Sequence, residues 1–206
     1  MSSSVIFIGS PDRSIKKSQK QYENYYGLFV VSPADLLFRI FASFIPPFGS
    51  KYRKVHVDFL GPLLALFSLN ALLIYGYSFK KIKISLTPLE SMLTYYTCVP
   101  LLSFILAKLG RSSVNFCETL SLLGYSLYGH LFTLLLSFIL FHETSNAFFF
   151  GSLVVFAGAS SLRLILVFLN TIPVPAARLL VCSTISTVNI LFLIYLHFGF
   201  MHRTFS

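Results

Sequence analysis

The sequence predicts an all-α, polytopic membrane protein, a bundle of five transmembrane helices. Of its 206 residues, 55% are hydrophobic, and the mean hydropathy is +0.77, values outside the usual range of soluble proteins. Each of five apolar runs has roughly the length that a helix needs to cross a ~30 Å hydrocarbon core. These runs are also about twice the length of a barrel strand, which favours helices over a barrel. The predicted spans cover approximately 59–79, 89–109, 120–141, 147–169 and 179–200.

Residues 1–57 precede the first span and are expected to form a short cytosolic arm. Their polar start is typical of disorder, but residues 32–45 read SPADLLFRIFASFI. Ser32 suits a helix N-cap, Pro33 suits the first helical position, and apolar residues follow at helical spacing. The pattern predicts an amphipathic helix near 33–45, too short to span a membrane. Two placements are equally open: on the cytosolic leaflet, or packed against the bundle.

The charges predict the orientation of the chain. With the N-terminus in the cytosol, eight Lys and Arg residues flank the spans on the cytosolic side and four on the lumenal side, which satisfies the positive-inside rule. The cytosolic residues are Arg39, Lys51, Arg53, Lys54, Lys108, Arg111, Arg163 and Arg178. Residues 202–206 are then a short lumenal tail, and the first span is expected to act as its own insertion signal. The cluster Lys80, Lys81 and Lys83 runs against the rule. It either binds lumenal headgroups or ends the first span.

Polar residues within the spans are candidates for function, because a charge or dipole in lipid is costly. The candidates are Glu90, His130 and Asn189. His130 is the deepest ionisable group, and a hydrogen bond to Ser, Thr or Asn of another helix is favoured over a proton relay. These residues do not form a convergent catalytic set, and no Cys/His spacing suits a metal. No enzymatic activity, cofactor or metal is therefore expected.

Small residues on the fourth predicted span suggest a packing face. Ala157 and Ser161 stand four residues apart, the spacing that lets two transmembrane helices approach closely. We expect this face to pair with another membrane protein. In the third predicted span, Gly124 and Gly129 also permit close approach.

Four segments within residues 58–201 resemble the Yip (Ypt/Rab-interacting protein, YIPF) membrane family. In order, they read DFLGPLLALF, LLGYSLYGHLF, SSLRLILVFLN and RLLVCSTISTVNILFLIYLHF. They resemble the family's acidic-x-x-Gly-Pro entry, its Gly-Tyr motif, its segment of small residues with Arg, and its last span. The third vertebrate paralogue is the most similar. By position, the family's motif residues fall on Asp58, Gly61, Pro62, Gly124, Tyr125 and Arg163.

The resemblance implies a non-enzymatic protein of the Golgi membrane and early secretory pathway, with a cytosolic N-terminus. It implies hetero-oligomers with another Yip protein, and association with a Rab GTPase or vesicle machinery. Membrane lipids are expected partners and nucleic acid is not. Tyr25 to Leu28 has the aromatic and aliphatic spacing of an autophagy-adaptor motif, but only Glu23 is acidic nearby, and an ordinary aromatic stretch leading to the membrane is the favoured interpretation. Two alternatives stay open: a small transporter or lipid-handling protein that uses polar groups within the bundle, and a membrane-shaping scaffold.

Overall fold

The computed structural model describes residues 29, 31–46, 57–80, 86–140 and 146–202, and these form helices and connecting turns without a strand. Five of the helices are long and apolar enough to cross a membrane, which confirms the predicted fold. Most of the arm, Tyr25 to Leu28, Lys81, Lys83 and residues 203–206 lie outside the described residues. The helices are α1 (Pro33–Ala42), α2 (Leu60–Ser78), α3 (Pro88–Leu109), α4 (Phe116–Ile139), α5 (Ala147–Thr171) and α6 (Pro175–Met201).

Two spans begin earlier than the apolar pattern predicted. Helix α4 begins at Phe116 rather than near 120, because Asn115 and Glu118 form a capping box in which the Asn115 N–H donates to Glu118 Oε2 at 2.8 Å. Helix α6 begins at Pro175 rather than near 179, with proline in its first turn. In both helices the first turn precedes the apolar run, so the helix begins earlier than hydropathy alone predicts.

Helix α4 is the central element of the bundle. It contacts α2, α3, α5 and the last turn of α6, and 67% of its most apolar window is buried, against 33–44% in the other spans. Glycine lets α5 approach it closely, since a Cβ atom on Gly129 would lie 2.1 Å from Ser160 Oγ. The polar residues of α4 therefore face protein rather than lipid.

Two spans contain a wider helical turn. Residues Leu153–Ala157 in α5 and His197–Met201 in α6 are π-helical. Such turns interrupt the regular hydrogen-bond ladder and are frequent at functional sites. The first lies against α4 and the second against α2, so both occur where spans pack together.

The short helix α1 packs on the bundle. It begins as predicted, with Ser32 Oγ accepting from the Asp35 N–H at 3.1 Å. Helix α1 ends at Ala42, three residues before the expected end at 45. After it, the Phe44 ring contacts Phe132 at a centroid distance of 5.6 Å. Of the two open placements, contact with the bundle is the one observed, although α1 also keeps an exposed apolar face, formed by Leu37, Phe38 and Phe41.

Candidate functional site

A buried carboxylate lies where α1 meets the bundle. Asp58, just before α2, is 0% exposed. Its Oδ2 accepts from Arg39 Nη1 of α1 at 2.5 Å. The Tyr125 hydroxyl of α4 lies 2.8 Å from Oδ2 and 3.0 Å from Oδ1, and Oδ1 also accepts from the Gly61 N–H at 3.0 Å. A buried charge is tolerated only when it is paired and hydrogen-bonded in this way.

Tight packing between α2 and α4 surrounds this carboxylate. A Cβ atom on Gly61 would lie 2.3 Å from the Tyr125 hydroxyl oxygen, and one on Gly124 would lie 2.4 Å from Pro62 Cβ. Neither glycine could carry a side chain without displacing its neighbour. The structure thus brings together five of the motif residues that the resemblance identified, from positions more than 60 residues apart in sequence.

Further contacts were not predicted from the sequence. The Tyr128 hydroxyl donates to the Gly61 carbonyl oxygen at 3.0 Å, and Ser121 Oγ lies 3.5 Å from the Asp58 nitrogen. Arg39 was counted only as a cytosolic charge, but its side chain is 21% exposed and paired. One signal could have identified it, because Asp58 beside a span requires a cation and Arg39 lies on the preceding helix.

Arg163 of α5 contacts the same C-terminal end of α1 that carries Arg39. Its guanidinium donates to the carbonyl oxygens of Ala42, the last residue of α1, and of Ile45 in the turn that follows. The Ala42 carbonyl also accepts from the Ile45 N–H at 3.2 Å. A cation there also interacts favourably with the helix dipole. Arg163 is only 9% exposed. It therefore caps the C-terminal end of α1. We call Arg39, Asp58, Tyr125 and Arg163 the α1 joint.

A second polar set lies deep within the spans. The Tyr95 hydroxyl donates to Asn189 Oδ1 at 2.5 Å, and Asn189 Nδ2 donates to Ser161 Oγ at 2.9 Å. Nε2 of His130 lies 3.1 Å from the Asn189 carbonyl oxygen. The sequence analysis favoured an interhelical hydrogen bond of this kind for His130. These four side chains, which we call the midplane network, link α3, α4, α5 and α6.

The small residues of α5 face the chain's own interior. Ala157 is 1% and Ser161 3% exposed, and Ser161 is engaged in the midplane network. The face expected to pair with another protein is therefore covered by the same bundle. Small residues give the same pattern whether they face a helix of the same chain or of a partner. Pairing with a second protein requires another surface.

The opposite end of the bundle from α1 carries helix caps. Glu90 is exposed, and its Oε2 accepts from the Thr87 N–H at 2.8 Å, so it caps α3 rather than facing the interior. Lys80 Nζ donates to the carbonyl oxygens of Phe198 and Gly199 at 2.6 and 2.8 Å. Partial burial lowers the pKa of Lys80. Lys80 thus joins the end of α2 to the last turn of α6.

These arrangements hold helices together and position α1. Among the described residues, no three His, Cys, Asp or Glu side chains lie close enough to hold a metal ion. No solved structure matches the chain. A family model does, and its match spans residues 33–201, from the first residue of α1 to the last of α6. The matched region thus includes both the α1 joint and all five spans. Because the model described as "YIPF3 C-terminal domain" covers most of the sequence, this protein belongs to the YIPF family.

Proposed function

We propose that the protein is a non-enzymatic Golgi membrane protein that acts in vesicle-mediated transport and Golgi organisation through partner proteins. In this proposal the N-terminus and α1 are cytosolic and the opposite end of the bundle is lumenal. The partners are another Yip protein, bound as a hetero-oligomer, and a Rab GTPase or other vesicle machinery. Family membership supports the trafficking role, and the charge distribution supports the orientation.

The observation that carries the proposal is the α1 joint. It fixes a short helix on the bundle through Arg39 and Arg163 while leaving Leu37, Phe38 and Phe41 from 44% to 67% exposed. Burying a charge costs desolvation free energy. Two arginines that hold one short helix therefore indicate that the position of this helix matters. Helix α1 is thereby presented as a binding surface rather than left free.

A groove beside this surface supports the hetero-oligomer. It lies between the end of α1, α4 and α5, has a volume of about 420 Å³, and is lined by Phe41, Phe44, Ile45, Phe132, Val155, Phe156 and Ala159. In a membrane, helix association depends on close packing rather than on the hydrophobic effect. An apolar groove with a rigid wall gives a partner helix that packing. We therefore place the Yip partner here, in place of the covered face around Ala157 and Ser161.

The test is affinity purification of the tagged full chain from cells in a gentle detergent, with mass spectrometry of the bound proteins. We expect a second five-span Yip protein and Rab or vesicle proteins to co-purify. Replacing Leu37 and Phe41 with Ser should remove them without touching the α1 joint. The matched control is Phe67→Ser, since Phe67 is 66% exposed on α2, away from α1.

Two results would count against the proposal. Recovery of the wild-type chain alone would contradict a function through partners. Undiminished recovery of partners by the Leu37→Ser, Phe41→Ser variant would place the binding surface elsewhere. Light microscopy of the same cells tests the proposed location, and absence of the wild-type chain from the Golgi would refute it.

A further inference from the structure

A second groove lies between α3 and α6, at the end of the bundle away from α1. Its volume is about 500 Å³, within the range of roughly 300–1,000 Å³ typical of small-molecule sites. Its walls include Cys98 and Val99 of α3 and Val188 and Leu191 of α6. The groove is open along the side of two membrane-spanning helices. The medium that fills it is therefore lipid, not water.

The groove extends from the membrane boundary toward the bilayer centre. Ser91 lies one turn inside α3, which begins at Pro88, and Val99 lies eight residues further on, a rise of about 12 Å. Along α6, Tyr195 and Val188 are separated by about 10 Å. The groove is thus shorter than an extended acyl chain and similar in length to a fused sterol ring system.

Two stacked rings, one from each wall, make part of the groove rigid. The rings of Tyr95 and Phe192 are stacked, with centroids 3.8 Å apart and planes 12° apart. The Tyr95 hydroxyl is also fixed by its bond to Asn189 Oδ1. A preformed, rigid lining favours a rigid ligand over a flexible chain, because a rigid ligand loses less conformational entropy on binding.

The polar end of the groove requires a hydrogen-bond donor. Ser91 Oγ donates to the Thr87 carbonyl oxygen at 3.1 Å, and it lies 3.2 Å from the Tyr195 hydroxyl. A serine hydroxyl has one proton, so with that proton in the bond to Thr87 it is Tyr195 that donates to Ser91. The Tyr195 oxygen then keeps acceptor capacity. Phospholipid esters and phosphates supply only acceptors, whereas a lipid hydroxyl supplies the matching donor.

We propose that this groove binds a sterol. The sterol hydroxyl donates to Tyr195 near the membrane boundary, the ring system lies against Tyr95 and Phe192, and the tail points toward Val99 and Val188. This lipid site is separate from the α1 surface and goes beyond the trafficking role proposed above. It also connects the bound lipid to the midplane network through Tyr95.

The test uses the full chain in phosphatidylcholine vesicles with a photoreactive sterol that has a free hydroxyl and a diazirine in the ring system. We expect labelled peptides from both walls of the groove, and competition by cholesterol but not by its methyl ether. Tyr195→Phe should weaken the labelling about fivefold, the loss expected for one hydrogen bond. Val188→Trp should fill the groove and abolish the labelling. Phe67→Trp, on the lipid-exposed side of α2, should leave it unchanged.

Several outcomes would overturn the proposal. Labelling that is uniform over all five spans, or equal in wild type and Val188→Trp, would mean that the sterol contacts the lipid-facing surface of the bundle without a specific site. Equal competition by diacylglycerol would show that a hydroxyl suffices without the ring system. Unchanged labelling of Tyr195→Phe would remove the donor argument. Because Tyr195→Phe keeps the ring, it tests the site even if Val188→Trp fails to fold.

Discussion

The α1 joint and the midplane network both bury polar groups in a membrane protein, but they use different chemistry. The joint contains a full charge pair, with Asp58 0% exposed. The midplane network contains Asn189, also 0% exposed, a tyrosine and a serine, and its imidazole bonds to a backbone carbonyl. The joint attaches a separate ten-residue helix, whereas the network links spans that the membrane already holds side by side.

The difference shows what each set contributes. A short helix has little buried apolar surface to hold it, so its position depends on specific strong bonds. Spans pack along their whole length, and neutral hydrogen bonds between them add only a modest increment. We therefore expect the joint to control the position of α1, and the network to adjust the stability of a bundle that forms without it.

The largest effect is expected at Asp58. Asp58→Asn leaves Arg39 without its anionic partner and should lower the free energy of unfolding by about 3 kcal/mol, as when one partner of a buried ion pair is removed. Reversible unfolding in mixed detergent and SDS micelles measures it. Adding Arg39→Met should recover part of the loss, because it removes the unpaired charge. Equal stability of wild type and Asp58→Asn would show that the ion pair is not needed.

The next largest effect concerns the packing around the joint. In Gly124→Ala the new methyl group would lie 2.4 Å from Pro62 Cβ, and the overpacking should cost about 2 kcal/mol. Gly151→Ala is the matched control, since a Cβ there meets nothing within 4 Å. The same unfolding assay compares the two variants. A similar result for both would show that α2 and α4 do not require the close approach.

A smaller effect is expected in the midplane network. Tyr95→Phe removes the bond to Asn189 Oδ1 and should cost about 1 kcal/mol, the scale measured for hydrogen bonds between membrane helices. Tyr75→Phe is the control, because Tyr75 is 53% exposed on α2. If Tyr95→Phe lowered the free energy of unfolding as much as Asp58→Asn does, the distinction between the two regions would be contradicted.

The smallest effect belongs to neither region. His202 follows α6, and burial together with the Lys80 charge lowers the pKa of its imidazole. The folded state therefore takes up a proton less readily than the unfolded state, whose imidazole titrates at about pH 6.5. Stability should fall slightly as the pH drops below about 7. Thermal unfolding in nanodiscs between pH 7.5 and 5.5 should show this slope, and His202→Gln should reduce it. A rise in stability on acidification would be the opposite of the expected sign.

The span pattern could be predicted because membrane thickness sets the length of each apolar run. The start of α1 followed from local chemistry at Ser32 and Pro33. Asp58, Gly61 and Tyr125 were identified through family resemblance, but their meeting could not be derived. Asp58 and Tyr125 are 67 residues apart, and no local pattern states which spans are neighbours.

Other features were missed because a residue type admits several roles. Arg39 and Arg163 look like cytosolic charges when the positive-inside rule is applied, although both are paired within the structure. Ala157 and Ser161 have the spacing of an interface between proteins, but they are buried within one. Residue type limits the possible contacts, and only tertiary packing selects among them.

The most direct test of the account is cross-linking of α1 to the bundle in lipid. Phe44 and Phe132, whose rings are 5.6 Å apart, are replaced by Cys in a chain with its native cysteines changed to Ser, and a short bismaleimide is added. We predict efficient cross-linking that falls sharply when Asp58→Asn and Arg163→Gln are added. Cross-linking that is absent from the start, or that persists without both side chains, would show that the α1 joint does not hold the helix.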